Sequence, residues 1–308
     1  MLKNGSLINP EARIENTNRC NTHCTICPRD RMTRPLATME YGFFTNIVDQ
    51  VIDLGVSNVS VFGYGEPLMD KNVSEKILYC SSKGLETYVT TNGCMLDMEK
   101  SMDLIYAGLK NLRFSIHAVT PLNYERVHKQ NWLRTFGNFY TFCDINEKHG
   151  HPCKVHISTI PMHGESVDEI RQTWEKYADY LEVWKPHNWS DKMDYRASEP
   201  KKNTCGRPFN GPLQVQADGA VIPCCFLTDS EIVLGNTNNN YIKDILDGGP
   251  YKEFIERHTS GDLDGLPCKT CDQRNESLES PLLYSNRDPS MEIGRTSTAK
   301  ISVLKGED

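Results

Sequence analysis

No stretch of this chain approaches the roughly 18 consecutive apolar residues that a membrane-spanning helix requires, so no membrane association is expected. The first ten residues, Met1 to Pro10, lack the basic start and unbroken apolar run of a secretory signal. A cytoplasmic location is the resulting expectation. Basic residues are short as well: 34 Lys and Arg stand against 41 Asp and Glu, a net charge of −7. A dedicated nucleic-acid binder ordinarily carries the opposite surplus, so no nucleic-acid partner is expected. Nor is there an internal repeat. The remainder is ordinary for a globular protein, with 38% hydrophobic and 24% charged residues. That is enough apolar material for a sizeable core.

Cysteine is the exception. Twelve cysteines are many for a chain in a reducing compartment, where clustered thiols more often serve as metal ligands or catalytic groups than as disulfides. Cys20, Cys24 and Cys27 sit near the N-terminus; Cys205, Cys224, Cys225, Cys268 and Cys271 sit near the C-terminus. Cys80, Cys94, Cys143 and Cys153 are scattered between them and read as small packed thiols.

Between the two groups, short β-type runs alternate with helix-type stretches. Ala12–Glu15, Val56–Phe62, Glu86–Thr90, Leu112–Ile116, Val155–Ile160 and Leu181–Trp184 read as extended. Gly42–Leu54, Ser74–Lys83, Met98–Ala107, Thr135–Lys148 and Ser166–Tyr180 carry helical periodicity. Such repetition predicts an α/β fold built from βα units. About six units fit before Pro186, too few for a closed eight-unit barrel, so a partial (β/α)6 TIM-like barrel is expected over residues 10–190. A polar linker follows, then a small α+β domain over 204–274. That domain holds a hairpin signal, Asp218-Gly219 between Leu213–Gln216 and Ala220–Pro223. The polar tail over 275–308 reads as a mobile arm or a weakly docked strand or helix.

Thiolates favour iron–sulfur clusters, zinc or copper(I). A closed zinc site wants a fourth ligand, and His23, between its cysteine neighbours, is poorly placed to turn inward with them. Three cysteines on one loop leave one iron of a cubane open, which suits a site that binds a cofactor or substrate. The Cys20-x3-Cys24-x2-Cys27 spacing resembles the signature of radical S-adenosylmethionine (radical SAM) enzymes. In that family three cysteines hold a 4Fe–4S cluster whose open iron chelates the amino and carboxylate groups of S-adenosylmethionine.

Further segments follow the family's order. Gly63-Tyr64-Gly65-Glu66-Pro67 resembles its Gly-Gly-Glu motif, with Tyr64 as a departure; the resemblance implies that Gly65 and Glu66 contact the cofactor's amino group. Asn111–His117 resembles the fourth-strand segment and implies that Ser115 meets the ribose, with His117 near the same cleft. Thr91-Asn92-Gly93 and Val183–Pro186 are further candidates for the cleft. For the cofactor carboxylate, Arg126 and Lys129 are in a plausible region, although exposed helix charges are the commoner explanation for such residues.

Cys205-Gly206-Arg207-Pro208, Pro223-Cys224-Cys225, Leu234-Gly235-Asn236 and Cys268-x2-Cys271 resemble the SPASM or Twitch extension of the same family. With no cysteine after Cys271, the shorter Twitch version is the better match. It implies one auxiliary 4Fe–4S cluster held by Cys205, Cys224, Cys268 and Cys271, with zinc on the same thiols as the alternative. Adjacent strand residues point to opposite faces, so the choice between Cys224 and Cys225 as ligand stays open. The spare thiol, taken as Cys225, is either an inert residue facing the core or a hydrogen-atom donor to substrate.

The resemblance implies reductive cleavage of S-adenosylmethionine, with electrons from a one-electron donor such as flavodoxin or ferredoxin. The 5′-deoxyadenosyl radical then abstracts a substrate hydrogen. A fully ligated auxiliary cluster suits electron acceptance, hence net oxidation of a small molecule such as a sugar or aminocyclitol. The short stretch before the triad, without a peptide-recognition extension, favours that substrate class. The alternatives are a maturase of a ribosomally made peptide, acting by crosslinking or by epimerisation with Cys225 as hydrogen donor, or a non-catalytic iron–sulfur or zinc protein.

Overall fold

The computed structural model describes residues 1–196, 199, 201–276 and 282–287. A short antiparallel pair, β1 (Leu2–Lys3) and β2 (Ser6–Leu7), opens the chain. Six strands then run parallel in sequence order: β3 (Glu11–Ile14), β4 (Asn58–Val61), β5 (Glu86–Thr91), β6 (Asn111–Ser115), β7 (Lys154–Thr159) and β8 (Tyr180–Trp184). Between them lie α1 (Tyr41–Asp53), α2 (Val73–Ser82), α3 (Met98–Tyr106), α4 (Pro121–His128), α5 (Trp132–Lys148) and α6 (Val167–Trp174). This is the expected α/β architecture of a six-strand partial barrel.

Strand alternation explains what faces inward. Ala12 and Ile14, Val59 and Val61, and Leu112 and Phe114 are buried in the apolar core. Their neighbours Glu11 and Arg13, Ser60, and Arg113 and Ser115 line the central cavity. The two-residue period of a strand therefore sends apolar side chains into the core and polar ones into the barrel. Those interior charges are paired. Arg13 binds Glu11 through Nε and Nη2 at 2.9 and 3.2 Å, and Ser60 donates to Glu11 at 2.7 Å.

One helix departs from the sequence-based expectation. Pro121–His128 carries no long apolar period, yet it forms α4 because Thr120 caps it. The Thr120 hydroxyl accepts from Asn123 N at 3.3 Å, and Pro121 occupies the first turn, where its missing N–H costs nothing. The stretch 166–180 is also shorter in helix than its pattern suggests. It breaks after Trp174 into a tight 3-10 turn over Glu175–Tyr177 before β8 begins.

The C-terminal region adds to the same sheet. The expected hairpin forms as β9 (Leu213–Val215) and β10 (Ala220–Ile222), followed by β11 (Gly235–Asn236). β9 lies parallel to β3, so the hairpin extends the barrel's open edge. Three helices follow the hairpin region or flank it: α7 (Arg207–Asn210), α8 (Ile242–Leu246) and α9 (Gly249–Ser260). At the opposite edge β12 (Leu282–Ser285) pairs antiparallel with β8. Of the polar tail, only 275–276 and 282–287 lie within the described residues. Among the described residues no helix is long and apolar enough to cross a membrane.

The hairpin and the barrel are joined by one carboxylate. Glu15, just past β3 and 3% exposed, receives both guanidinium nitrogens of Arg34 at 2.7 and 2.8 Å. It also accepts the backbone N–H of Tyr64 at 2.9 Å and of Ala217 at 3.1 Å. Four donors converge on it from three segments far apart in sequence. Removing one partner of a buried ion pair leaves the other charge uncompensated, at a cost of about 3–5 kcal/mol. Glu15→Ala is accordingly expected to lose about that much unfolding free energy, measured by urea titration of the protein. A loss below about 1 kcal/mol, the level of a surface pair, would contradict the role given to this carboxylate.

Candidate active site and cluster cavities

The cysteine loop begins where β3 ends, at the carboxyl end of the sheet, the face where α/β barrels carry active sites. Its conformation is held by neighbours on every side. Glu66 N donates to Arg19 O at 2.8 Å, and Asn92 Nδ2 donates to Asn21 Oδ1 at 2.8 Å. Thr25 N donates to Val127 O at 2.8 Å, which ties the loop to α4. Gly65 is obligatory here. A Cβ at that position would stand 2.2 Å from Thr17 O and 2.6 Å from Arg19 O. Gly63 is constrained in the same way by the Glu15 side chain, 2.3 Å from where its Cβ would be.

Around this loop lies a cavity of about 360 Å³. Cys20, Cys24 and Cys27 line it together with Gly65, Glu66, Asn92, Ser115 and His117. The structure thus brings together the residues that the sequence motifs single out. Trp184 and Lys185, at the carboxyl end of β8, line it too. Arg126 and Lys129 do not belong to that lining and are exposed. His23 is turned to the surface, where Nδ1 meets Asp30 at 2.9 Å.

Glu66 is 2% exposed and already well served. Its carboxylate accepts from Thr91 Oγ1 at 2.7 Å, Asn92 N at 2.8 Å and Leu68 N at 3.2 Å. Burial nonetheless outweighs these bonds and pushes its pKa up to about 7. A carboxylate has about four acceptor positions, which leaves one for a ligand in the cavity.

The thiols of the loop are equally telling. Burial pushes Cys24 up to about 11 and Cys27 up to about 12. As free groups they hold their protons; three thiolates at this spot demand a compensating cation. A soft, positively charged iron–sulfur core meets that demand, so the donor set fits the cluster that the sequence motif implies.

The second cysteine set gathers around a separate, smaller cavity. Cys205, Cys224, Cys268 and Cys271 all line it. Burial pushes Cys268 up to about 12 and Cys271 up to about 11, the same demand for a cation. Cys225, by contrast, lines the large cavity. The two neighbours thus face different spaces. Cys225 therefore sits on the cavity wall instead of facing the core. Among the described residues no three His, Cys, Asp or Glu side chains converge closely enough to hold a single metal ion.

Arg207, Phe226 and Gln273 line both cavities and form the wall between them. Arg207 is 4% exposed, lies 4.5 Å over the Phe226 ring, and places Nη1 3.5 Å from Cys224 Sγ and 3.7 Å from Cys225 Sγ. Sequence reasoning passed over this arginine, although its place two residues after Cys205 was visible. It also passed over Glu15 and His128, for which only the finished fold supplies partners.

The close approach at Gly65 makes a direct prediction. Gly65→Ala has backbone oxygens, not a flexible side chain, in its way. It is expected to lose at least about 1–3 kcal/mol, the usual cost of overpacking, read by thermal unfolding. A variant as stable as the parent would show that the loop does not pass where the structure places it.

Comparison with known proteins agrees with the geometry. Residues 14–176, more than half of the chain, match the radical SAM superfamily, and residues 205–272 match SPASM, an iron–sulfur cluster-binding domain. A probable GTP 3′,8-cyclase of Methanothermobacter marburgensis is 33% identical over 122 residues, 39% of each chain. A PqqA peptide cyclase of Gluconobacter oxydans is 30% identical over 114 residues, 37% of this chain and 32% of that one. The chain thus spans roughly a third to two fifths of the length of these curated relatives. Among solved structures, BtrN in complex with AdoMet and 2-DOIA superposes with a TM-score of 0.60 at 18% identity, covering 87% of this chain and 94% of BtrN. SuiB of Streptococcus suis bound to its precursor peptide SuiA superposes with a TM-score of 0.67 at 15% identity, covering 86% and 70%. With its cysteine loop, its glycine–glutamate segment and a second cysteine cavity in place, the chain belongs to the radical SAM superfamily and carries a SPASM region, whose implied cofactors are 4Fe–4S clusters and S-adenosylmethionine.

Proposed function

We propose that this enzyme removes a hydrogen atom from a small molecule such as a sugar or aminocyclitol and carries the substrate on to net oxidation. In this reading Cys20, Cys24 and Cys27 hold the first 4Fe–4S cluster, with one iron left for S-adenosylmethionine. Gly65, Glu66 and Ser115 hold the cofactor, and Cys205, Cys224, Cys268 and Cys271 close an auxiliary cluster. When bound and reduced, the first cluster and S-adenosylmethionine supply a 5′-deoxyadenosyl radical.

The chain's own contribution is position and exclusion. Glu66 offers its remaining acceptor site to the cofactor's ammonium group. Tyr64, whose hydroxyl donates to Cys225 O at 2.6 Å, locks the glycine segment to the far wall of the cavity. Trp189 and Phe226 pack against His187, the first edge to face at 4.1 Å between ring centroids and the second tilted at 4.6 Å, and form an aromatic wall on that side. The observation that carries the oxidative reading is the shared wall. Among the described residues, Arg207, Phe226 and Gln273 line both the large cavity and the space around the second cysteine set. In this reading an electron leaving a substrate radical passes through that shared wall. Two 4Fe–4S clusters would suit a reducing compartment such as the cytoplasm, with flavodoxin or ferredoxin as the proposed donor.

One observation favours a second reading. Cys225 lines the large cavity, where a thiol can return a hydrogen atom to a substrate radical, as an epimerising peptide maturase requires. The two readings separate on Cys225→Ala. Under net oxidation the variant still makes the oxidised product; under epimerisation it loses incorporation of solvent deuterium into product.

The parent reading is tested by anaerobic incubation of the reconstituted protein with dithionite and S-adenosylmethionine. Wild type is expected to release 5′-deoxyadenosine and Cys24→Ala to fall to the protein-free background. Undiminished release from the variant would overturn it. Glu66 adds a pH signature. Below about 7 its carboxylate is protonated and a poor partner for an ammonium. Cofactor affinity is therefore expected to rise as pH passes upward through about 7. Glu66→Gln is expected to flatten that rise and to weaken binding at pH 8 by about 1.5–3 kcal/mol, the worth of a hydrogen bond to a charged group. Equilibrium dialysis checks both, and a pH-dependence that survives in the variant would assign it elsewhere.

A further inference from the structure

The three thiols of the cysteine loop are not served alike by hydrogen-bond donors. Thr22 Oγ1 lies 3.2 Å from Cys20 Sγ, where either atom can be the donor, and accepts from the Cys24 thiol at 3.4 Å. Cys24 has two further polar neighbours on His128, Nδ1 at 3.6 Å and the backbone O, to which its thiol donates, at 3.8 Å. His128 is the last residue of α4 and is 1% exposed. It is sandwiched by Tyr124, with ring centroids 4.4 Å apart, and by His117, 5.1 Å away and within 5° of parallel.

The other ring nitrogen settles the tautomer. The backbone N–H of His117 points at His128 Nε2 from 3.0 Å. A ring nitrogen that accepts a hydrogen bond carries no proton, so the neutral imidazole must carry its proton on Nδ1. Nδ1 is the atom that faces Cys24 Sγ. The stacked His117 is fixed by the same logic, since Ile160 N donates to its Nδ1 at 3.1 Å. A second proton on His128 would break its bond from His117 N, and so the ring stays a neutral donor.

We propose that His128 is a tuning residue of the first cluster: its Nδ1–H donates to the Cys24 sulfur and raises the reduction potential of the cluster that Cys24 holds. The proposal rests on the reading of Cys24 as a cluster ligand. A donor aimed at a ligating sulfur stabilises the more negative, reduced cluster more than the oxidised one, and the potential rises. The bond also fixes the rotamer of Cys24 from behind, the part that groups behind metal ligands ordinarily play. It explains why a buried histidine ends α4 next to the loop: the helix presents Tyr124 for stacking and, four residues on, His128 as the donor.

The test uses the reconstituted full chain, titrated anaerobically and followed by electron paramagnetic resonance without S-adenosylmethionine. His128→Phe keeps the stack and loses the donor; His128→Asn keeps an amide N–H near the position of Nδ1. The phenylalanine variant is expected to hold the same iron as wild type with a more negative first-cluster potential. The expected shift is a tenfold fall in the reduced-to-oxidised ratio at the wild-type midpoint, about 59 mV for one electron. The asparagine variant is expected to recover most of it. An unchanged or higher potential in a fully loaded phenylalanine variant would overturn the proposal. If that variant does not hold its iron, the reduced wild-type protein labelled with ¹⁵N-histidine decides: a resolved ring-nitrogen coupling supports the bond, and its absence overturns it. If Cys24→Ala keeps all its iron, the ligand reading beneath the proposal has failed instead.

Discussion

The buried carboxylate of Glu15 is the constraint on which the rest of the site depends. It emerges at the carboxyl end of β3, one step before the cysteine loop begins, and it is the meeting point of three segments. Arg34 brings back the chain that has just left the cysteine loop, Tyr64 carries the glycine–glutamate segment, and Ala217 belongs to the C-terminal hairpin. Neutralising a charge this deep takes several donors at once. Those donors come from the parts that the proposed chemistry needs in register: the loop with the first thiols, the strand end with the carboxylate proposed to meet the cofactor, and the hairpin that leads to the second set of thiols. Gly63 is glycine because the Glu15 side chain occupies the space of a Cβ, and Gly65 because the loop backbone does.

The arrangement has a chemical consequence. One cavity is lined by three half-buried thiols on one side and by Cys225 and Arg207 on another; a second set of four thiols lines a neighbouring cavity that shares Arg207, Phe226 and Gln273 with the first. The proposed oxidation needs a substrate radical close enough to lose an electron, yet apart from the second cluster's ligands. A wall shared by the two cavities suits both needs. The cation in that wall is buried between sulfurs and has the Phe226 ring beneath it. In this respect the two cysteine sets are alike, since each has a nitrogen donor directed at one of its sulfurs, His128 at Cys24 and Arg207 at Cys224.

Much of this was legible in the chain itself, for definite reasons. Strand and helix periods made the six parallel strands recognisable, and Asp218-Gly219 made the hairpin recognisable, because each is encoded by neighbours in sequence. The cysteine spacing is a local code too, as a single loop must wrap the cluster. Helix α4 escaped because it is specified by its cap, Thr120, and by tertiary packing of Tyr124 and Val127, not by a long apolar period. Which of Cys224 and Cys225 faces which cavity could not be decided from strand alternation, because both lie past the end of β10 at Ile222, where the chain has turned out of the sheet. Glu15, His128 and Arg207 escaped because each acts through partners between about 20 and 200 positions away in sequence, and nothing at their own positions announces those partners.

The division of the cysteines into two clusters is the claim that everything chemical here depends on. It is tested most directly by anaerobic iron and sulfide counting on three reconstituted proteins. These are the wild type, the Cys20/Cys24/Cys27 triple alanine variant, and the Cys205/Cys224/Cys268/Cys271 quadruple alanine variant. Two full cubanes give about eight irons, and each variant is expected to retain about four, with the spectrum of a different cluster left in each. Loss of all iron from either variant, or zinc in place of iron, would contradict the account.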